Sequence, residues 1–370
     1  MIAKEIPVPE HFVPVEPTKE PVEFVELRTI DLAKYDDGPE ARKALAEELR
    51  LAMTTQGFFN LINHGLSEEE ITRQVDIGHH IITHAPIEEK HRLQAPMIED
   101  GSYHGFKPRG HWRAGKNVRD KVENFNVYRD MTLRDQPQCM EPWKPEIQRF
   151  IDYTHKEVLF KVLRLFAISL EIEDEDFFVK LHDYEKHDET WLRYMEYFDE
   201  YTDEDKKETK GLWLGGHQDL TSLSLLFSQP MASLQVRAYE DDATWKFVKH
   251  IPGGIIVNAG EVMLWWTGDY YKAAIHRVSE PPKDQKGHNR SSVFYFCLPN
   301  DDVVINTVLD ESPVLRKAGV KMAHKPEDAP RSKAWANGRI KITGRSAVYD
   351  KQEGNTAYEK VGTVTTRWFK

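Results

Sequence analysis

His217-Gln218-Asp219, followed by His276 and then by Arg290-Ser291-Ser292, is the part of the sequence that decides the fold. Residues two apart on a β-strand point to the same side, so His217 and Asp219 can reach one ion from a single strand end. A second strand that contains His276 can bring a third ligand from across a barrel. Two imidazoles and one carboxylate leave roughly three positions of an octahedral metal open, an arrangement typical of oxygen-activating non-haem iron(II).

The downstream element predicts a site for a carboxylate. Arg290 and Ser292 share one face of a strand predicted to run to Phe296, and that face continues through Phe294 and Phe296. A guanidinium forms two parallel hydrogen bonds to a carboxylate, and a neighbouring hydroxyl adds a third donor. An unpaired charge in an apolar barrel is costly, so a ligand carboxylate is the expected partner.

Composition limits the classes of protein that remain. The chain has 370 residues, 40% of them hydrophobic, with a formal net charge of -11 and a pI near 5.8, which argues against a nucleic-acid partner. Cys139 and Cys297 are too few for a disulfide scaffold, and there is neither a signal-peptide pattern nor an 18-residue apolar run. We expect a cytoplasmic protein without a membrane partner, either a monomer or a homodimer.

Three regions are predicted along the chain. Residues 1–189 combine a proline-rich extended arm, helices and short strands, including a scaffold helix over 145–171 and a loop over 99–126 that lies above the site. Residues 190–300 read as short strands of period two between Gly and Pro turns, typical of an antiparallel barrel or sandwich. Residues 301–370 are expected to form a polar, solvated extension.

A set of motifs links the chain to a known family. Gly57-Phe58-Phe59-Asn60-Leu61-Ile62-Asn63-His64-Gly65 resembles the G-F-F-x-x-x-N-H-G element of the isopenicillin N synthase-like iron(II)/2-oxoglutarate-dependent dioxygenases. The similarity continues in order through Ser233–Val236, Val257–Glu261 and His276–Val278. It implies a mainly β fold with flanking helices, in which a double-stranded β-helix, or jelly-roll, core follows an N-terminal α/β region.

The same resemblance assigns roles to site residues. It implies that His217, Asp219 and His276 hold Fe(II), and that Arg290 and Ser292 bind the distal carboxylate of the cosubstrate 2-oxoglutarate. Leu192–Phe198 aligns with the family's L-R-x-N-Y-Y-P strand. In this alignment the family's second tyrosine, a cosubstrate residue, is Tyr197, whereas the asparagine is Met195 and the proline is Phe198. Arg193 is a further candidate for cosubstrate binding.

The implied reaction is oxidation of a small organic molecule by dioxygen, with decarboxylation of 2-oxoglutarate to succinate and CO₂. Hydroxylation, desaturation and ring closure are all open. Aromatic residues near the predicted site are candidates for contact with the substrate. They are Phe296, Phe294, Phe198, Tyr103, Trp112 and Phe125.

Other readings remain open from the sequence. One alternative is an oxidase of the isopenicillin N synthase type, which would take its electrons from the substrate and would not use 2-oxoglutarate. Arg290 and Ser292 do not exclude it, because they could equally bind a substrate carboxylate. A catalytically inert barrel that binds a small ligand is a second alternative. A hydrolytic zinc enzyme is a more remote one, since no general base is evident beside the metal residues.

Overall fold

A computed structural model of the chain describes residues 6–240, 243–345 and 356–369. The first five residues of the proline-rich arm, and residues 346–355 of the C-terminal region, lie outside the described part. The fourteen strands of the described part are β1 Thr29–Asp31, β2 Phe58–Ile62, β3 Gly105–Lys107, β4 Val122–Tyr128, β5 Trp191–Tyr197, β6 Leu212–His217, β7 Leu223–Phe227, β8 Leu234–Arg237, β9 Lys246–Phe247, β10 Ile255–Ala259, β11 Ile275–Ser279, β12 Arg290–Cys297, β13 Thr356–Val361 and β14 Val364–Phe369.

Helices precede, interrupt and follow the strands. The α-helices are α1 Pro39–Thr55, α2 Glu68–His84, α3 Ile87–Arg92, α4 Lys144–Tyr153, α5 Phe160–Ser169, α6 Phe177–Leu181, α7 Asp203–Thr209, α8 Glu261–Trp266, α9 Pro313–Lys317 and α10 Ser332–Ile342. Short 3-10 helices cover Leu32–Asp37, Gln138–Trp143 and Lys283–Gln285. A π-helical turn, Thr154–Leu159, joins α4 to α5, so the helical stretch runs over 144–169 where the sequence predicts 145–171.

Two β-sheets enclose the central pocket. The larger sheet has the strand order β1-β2-β10-β7-β12-β5-β4-β3, and the smaller has the order β13-β14-β6-β11-β8-β9. Non-consecutive strands lie side by side in both, and every pairing of these strands but that of β1 with β2 is antiparallel. This is the jelly-roll arrangement, and it confirms the predicted fold class.

Helices of the N-terminal half cover the outer face of the larger sheet. Helix α2 begins with a capping box, in which the Ser67 side chain accepts the Glu70 amide and the Glu70 carboxylate accepts the Ser67 amide. It packs on β5, where the Tyr194 ring lies so close to Gly78 that an added Cβ would come within 2.5 Å of it. The alternation of β5 therefore directs Tyr194 to the helices and its neighbours Arg193 and Met195 to the pocket.

The C-terminal region differs from the solvated extension that its polarity predicts. Helix α10 buries Trp335 and Ile340, and strand β14 pairs with β6 so that Trp368 lies opposite His217. Strands β13 and β14 thus extend the smaller sheet beside the end of β6. The sequence does not predict this packing, because only one face of each element is apolar and that face is buried by segments distant in sequence.

Within the described residues, no helix combines the length and the apolar character that crossing a bilayer requires.

Candidate active site

His217, Asp219 and His276 converge at the end of the smaller sheet. His217 is the last residue of β6 and lies directly opposite His276 of β11, while Asp219 follows two residues after His217. One ligand atom from each of the three lies within 4.8 Å of the other two, and the described residues contain no second group of this kind. The Nε2 atoms of His217 and His276 lie 3.6 and 3.7 Å from Asp219 Oδ1. This donor set fits a divalent iron and leaves part of its coordination sphere open.

Hydrogen bonds behind the three side chains fix their orientation. His217 Nδ1 lies 2.9 Å from the Gly215 carbonyl and His276 Nδ1 3.1 Å from the Ala274 carbonyl, so both Nε2 atoms face the site. Ser224 and Asn258 donate to Asp219 Oδ2 at 2.7 and 2.9 Å, which leaves Oδ1 for a metal. Asn258 lies in one of the family motifs, but the sequence alone gives it no role.

The charge states suit metal binding. Burial lowers the pKa of His276 to about 4, so its imidazole is neutral at pH 7, the form that coordinates metals. Burial opposes ionisation of Asp219, but the two histidines and the Asn258 amide outweigh it and hold the pKa of this carboxyl well below its usual range. The aspartate is therefore ionised.

Arg290 and Ser292 form a buried cluster in which most donors lack an acceptor. Arg290 is 1% exposed, and its Nε and Nη1 atoms and the Ser292 hydroxyl have no hydrogen-bond partner. The guanidinium lies over the Tyr197 ring, 5.1 Å from its centroid, and burial lowers the pKa of Arg290. Buried donors without acceptors are rare in folded proteins. A ligand carboxylate fits this cluster, as the sequence predicts.

Arg193 and Met195 lie on β5 at positions set by its pairing with β12. Met195 is opposite Ser292, so the position where the family motif has asparagine presents a thioether to the pocket. Arg193 is opposite Phe294, and its guanidinium turns towards the Trp191 and Phe296 rings rather than towards Arg290. The two arginines therefore do not form one cluster.

Four of the six predicted substrate-contacting aromatics line the pocket. They are Phe296, Phe294, Tyr103 and Trp112. The first two lie on the face of β12 that carries Arg290, whereas Tyr103 and Trp112 come from the irregular chain before β4, within the predicted loop over 99–126.

The other two candidates point away from the pocket. Phe125 of β4 pairs with Tyr194, which faces the helices, and packs on Phe106 with ring centroids 4.5 Å apart. Phe198 follows the end of β5 and lies beneath the Arg109 guanidinium, 4.2 Å from it. The structure does not bring these two residues into the pocket, because the strand period of two places residues 125 and 198 on the opposite side from Arg193 and Tyr197.

The C-terminal region contributes one wall of the pocket that the sequence did not predict. Arg339, Thr343, Gly344 and Trp368 line the pocket. The Arg339 guanidinium lies over the Trp368 ring at 4.1 Å, and its Nε is 3.4 Å from Glu261, which also accepts a hydrogen bond from Thr366. The alternation of Val364, Thr366 and Trp368 was the available signal for an inward-facing strand.

Comparisons with known proteins agree with this geometry. Residues 187–299 match the family model of the 2OG-Fe(II) oxygenase superfamily, and residues 27–146 match the model described as the N-terminal region of non-haem dioxygenase in morphine synthesis. The chain belongs to the 2OG-Fe(II) oxygenase superfamily. It is an oxidoreductase that uses Fe(II), 2-oxoglutarate and dioxygen.

Individual relatives span most of this oxygenase. It is 25% identical to a 2-oxoglutarate-Fe(II) type oxidoreductase of Aspergillus fumigatus, over 79% of this chain and 86% of the relative. It is 26% identical to isopenicillin N synthase of Hapsidospora chrysogena, over 84% and 93% of the two chains. The structure of a full-length Neurospora crassa protein in complex with alpha-KG and 5-formyluracil superposes with a TM-score of 0.71 at 22% identity, covering 89% of this oxygenase and 100% of the Neurospora chain. That last likeness supports the fold alone.

Proposed function

We propose that His217, Asp219 and His276 hold Fe(II), and that Arg290 and Ser292 hold the distal carboxylate of 2-oxoglutarate, for the oxidation of a C–H bond in a small organic molecule. Tyr197 is proposed as a further cosubstrate residue. The observation that carries this proposal is the pairing of a convergent two-histidine, one-carboxylate group with a buried arginine and serine that lack acceptors. The three converging ligands lack a metal ion, and the buried donors lack an acceptor. Fe(II) fills the first place, and a carboxylate of 2-oxoglutarate fills the second.

Iron and 2-oxoglutarate, when bound, supply the oxidising power: one atom of dioxygen enters succinate and the other oxidises the substrate, with release of CO₂. The chain contributes placement. The hydrogen bonds from Ser224 and Asn258 hold Asp219 in one rotamer, and those to Gly215 and Ala274 do the same for the histidines. The ligands are therefore set before the metal arrives.

Arg290 fixes the cosubstrate by charge and by geometry. Its fork is planar and rigid, so a carboxylate bound to it has one preferred direction. Trp213 stacks on Tyr197, with ring centroids 5.9 Å apart, and Tyr197 in turn supports the guanidinium. Apolar residues, among them Leu226, Leu234 and Ile256, complete the pocket and exclude water that would compete for the reactive position.

We infer hydroxylation as the basic reaction, with desaturation and ring closure as outcomes that depend on how the substrate is held. We also propose that the protein acts in the cytoplasm, because both cysteines of the chain are free thiols. A monomer or a homodimer is proposed, and sedimentation analysis distinguishes the two.

The decisive experiment measures oxygen uptake and succinate formation by the purified protein with Fe(II), with and without 2-oxoglutarate, over a library of small molecules. We expect 2-oxoglutarate-dependent turnover that His276→Ala abolishes, while His187→Ala, a change of an exposed histidine, leaves it unchanged. Oxygen uptake that is equal without 2-oxoglutarate would instead establish an oxidase of the isopenicillin N synthase type. Equal turnover in the His276→Ala variant would refute the metal assignment.

A further inference from the structure

Arg193 is a buried cation that the proposed iron and 2-oxoglutarate sites do not use. It lines the pocket and is 6% exposed, and its Nη2 atom has no hydrogen-bond partner. Its Nε atom donates to Asn126 Oδ1 at 2.6 Å. Asn126 is itself oriented, because its Nδ2 donates to the Tyr103 carbonyl and to Asn124 Oδ1. One edge of the guanidinium is thus anchored, and another is left without an acceptor.

Aromatic rings surround this guanidinium. Its central carbon lies 4.8 Å from the ring centroid of Tyr103, 5.4 Å from that of Trp191 and 4.8 Å from that of Phe296. The Trp191 and Phe296 rings are stacked at 5.1 Å, and Phe296 is stacked with Phe294 at 5.3 Å. The rings favour a cation among them but accept no hydrogen bond in the plane of the guanidinium. The pocket wall is therefore a row of flat rings with a cation beside it.

Arg193 is also separated from the cosubstrate cluster. Arg193 pairs with Phe294, which is four residues along β12 from Arg290, and this corresponds to about 13 Å between the two backbone positions. The Arg290 guanidinium lies over Tyr197 at that far level. In the proposed complex the second carboxylate of a five-carbon diacid held by Arg290 is directed to the metal, so Arg193 requires another acceptor.

The charges around the pocket indicate what that acceptor is. Asp219 is the one carboxylate among the described residues that line it, and the charge of Arg339 is offset by Glu261. Arg113, which also lines the pocket, is partly exposed and donates to the Lys116 carbonyl, so solvent screens its charge. Arg193, Arg290 and a divalent ion bring four positive charges, against one negative charge from Asp219 and two from 2-oxoglutarate. One positive charge is left uncompensated. Burying such an excess is costly unless a further anion enters.

We propose that Arg193 is the residue that anchors the substrate, and that the substrate is a flat, unsaturated carboxylate. Its carboxylate accepts hydrogen bonds from the free edge of Arg193, and its planar body packs on the Phe294 and Phe296 rings. The proposal rests on the proposed function, because the charge balance includes Fe(II) and 2-oxoglutarate. It reassigns Arg193 from the cosubstrate to the substrate.

The test measures binding under anaerobic conditions to the protein loaded with Fe(II) and 2-oxoglutarate, by calorimetry. The probes are two matched pairs, benzoate with benzamide and cinnamate with cinnamamide, which share a planar body and differ in charge. The variants are Arg193→Met and Arg193→Lys, with Arg164→Met as a control that removes a partly exposed arginine paired with Asp176. Thermal unfolding of each variant verifies that it is folded, and the affinity for 2-oxoglutarate is measured separately.

We expect each acid to bind about 10- to 100-fold more tightly than its amide, the range of one charge-assisted hydrogen bond. Arg193→Met removes that preference, Arg193→Lys retains part of it, and neither changes the affinity for 2-oxoglutarate more than about threefold. Three results would overturn the proposal: acids that fail to bind, acids and amides that bind equally, or a loss of 2-oxoglutarate affinity in Arg193→Met. If the wild-type protein fails to bind 2-oxoglutarate, the proposed function itself fails, so the two failures are distinguishable.

Discussion

Replacing Arg290 with methionine should change two measured quantities in opposite directions. Methionine keeps much of the apolar volume of arginine but removes the charge and every donor. Arg290 is buried, and its Nε and Nη1 atoms lack partners in the protein. In the ligand-free protein the guanidinium is therefore an uncompensated buried charge, whereas in the complex with 2-oxoglutarate it is paired.

The magnitudes follow from this difference. Removing one partner of a buried, hydrogen-bonded charge pair costs about 2–5 kcal/mol, so the affinity for 2-oxoglutarate should fall by roughly 30- to 5,000-fold. Replacing an unfavourably buried charge by an apolar side chain is neutral or stabilising by about 1–4 kcal/mol. The ligand-free variant should therefore unfold at the same or a higher urea concentration than the wild-type protein.

Calorimetric titration with 2-oxoglutarate and urea unfolding of the ligand-free protein measure the two quantities on the same samples. Arg164→Met is the matched control, since it makes the same substitution at a partly exposed ion pair and should leave the affinity for 2-oxoglutarate unaltered. A structural arginine would behave differently, because its removal would lower stability and spare binding. Affinity within threefold of wild type, or clear destabilisation of the ligand-free variant, would refute the assignment of Arg290.

Three further predictions concern residues around the pocket. Met195→Asn restores the amide of the family motif and should tighten 2-oxoglutarate binding, measured by calorimetry, by up to about tenfold, which is the value of one hydrogen bond. Weaker binding would argue against a cosubstrate contact at this position. Glu261→Gln leaves Arg339 without its buried counter-charge and should lower the unfolding free energy by about 3–5 kcal/mol. Glu311→Gln, at an exposed position, should not lower it. Equal effects of the two changes would show that this ion pair does not hold the C-terminal wall. Burial raises the pKa of Glu189 from 4.5 to about 7, so the folded chain keeps a proton that the unfolded chain loses, and stability should fall by up to about 3 kcal/mol as pH rises from 4.5 through 7. Glu189→Gln should remove that part of the pH dependence in urea unfolding, and an unchanged profile would contradict the raised pKa.

The sequence by itself predicted the candidate metal and carboxylate residues, and it determined the class of fold. These features are local: the ligands His217 and Asp219 are two residues apart at a strand end, and Arg290 and Ser292 alternate along another strand. A period of two fixes which side chains share a face before any tertiary contact is known. The jelly-roll core followed from short alternating segments between turns, and the structure confirmed it.

Only the tertiary structure decided which faces meet in the pocket. Phe125 and Phe198 were plausible substrate contacts by residue type, but strand pairing places Phe125 opposite Tyr194 and the end of β5 turns Phe198 towards Arg109. The separation of Arg193 from Arg290 depends likewise on the pairing of β5 with β12. Local patterns specify alternation along a strand, but they do not specify which strand lies beside it.

The C-terminal wall shows the same limit most clearly. Trp368 lies beside His217 because β14 pairs with β6 across more than a hundred residues of chain, and Arg339 is neutralised by Glu261 from a separate helix. Each segment alone reads as polar, since its apolar residues occupy only one face and the buried Arg339 is paired with a residue distant in sequence. Short motifs therefore identify the candidate metal and carboxylate residues, whereas the shape of the substrate pocket depends on how the sheets assemble.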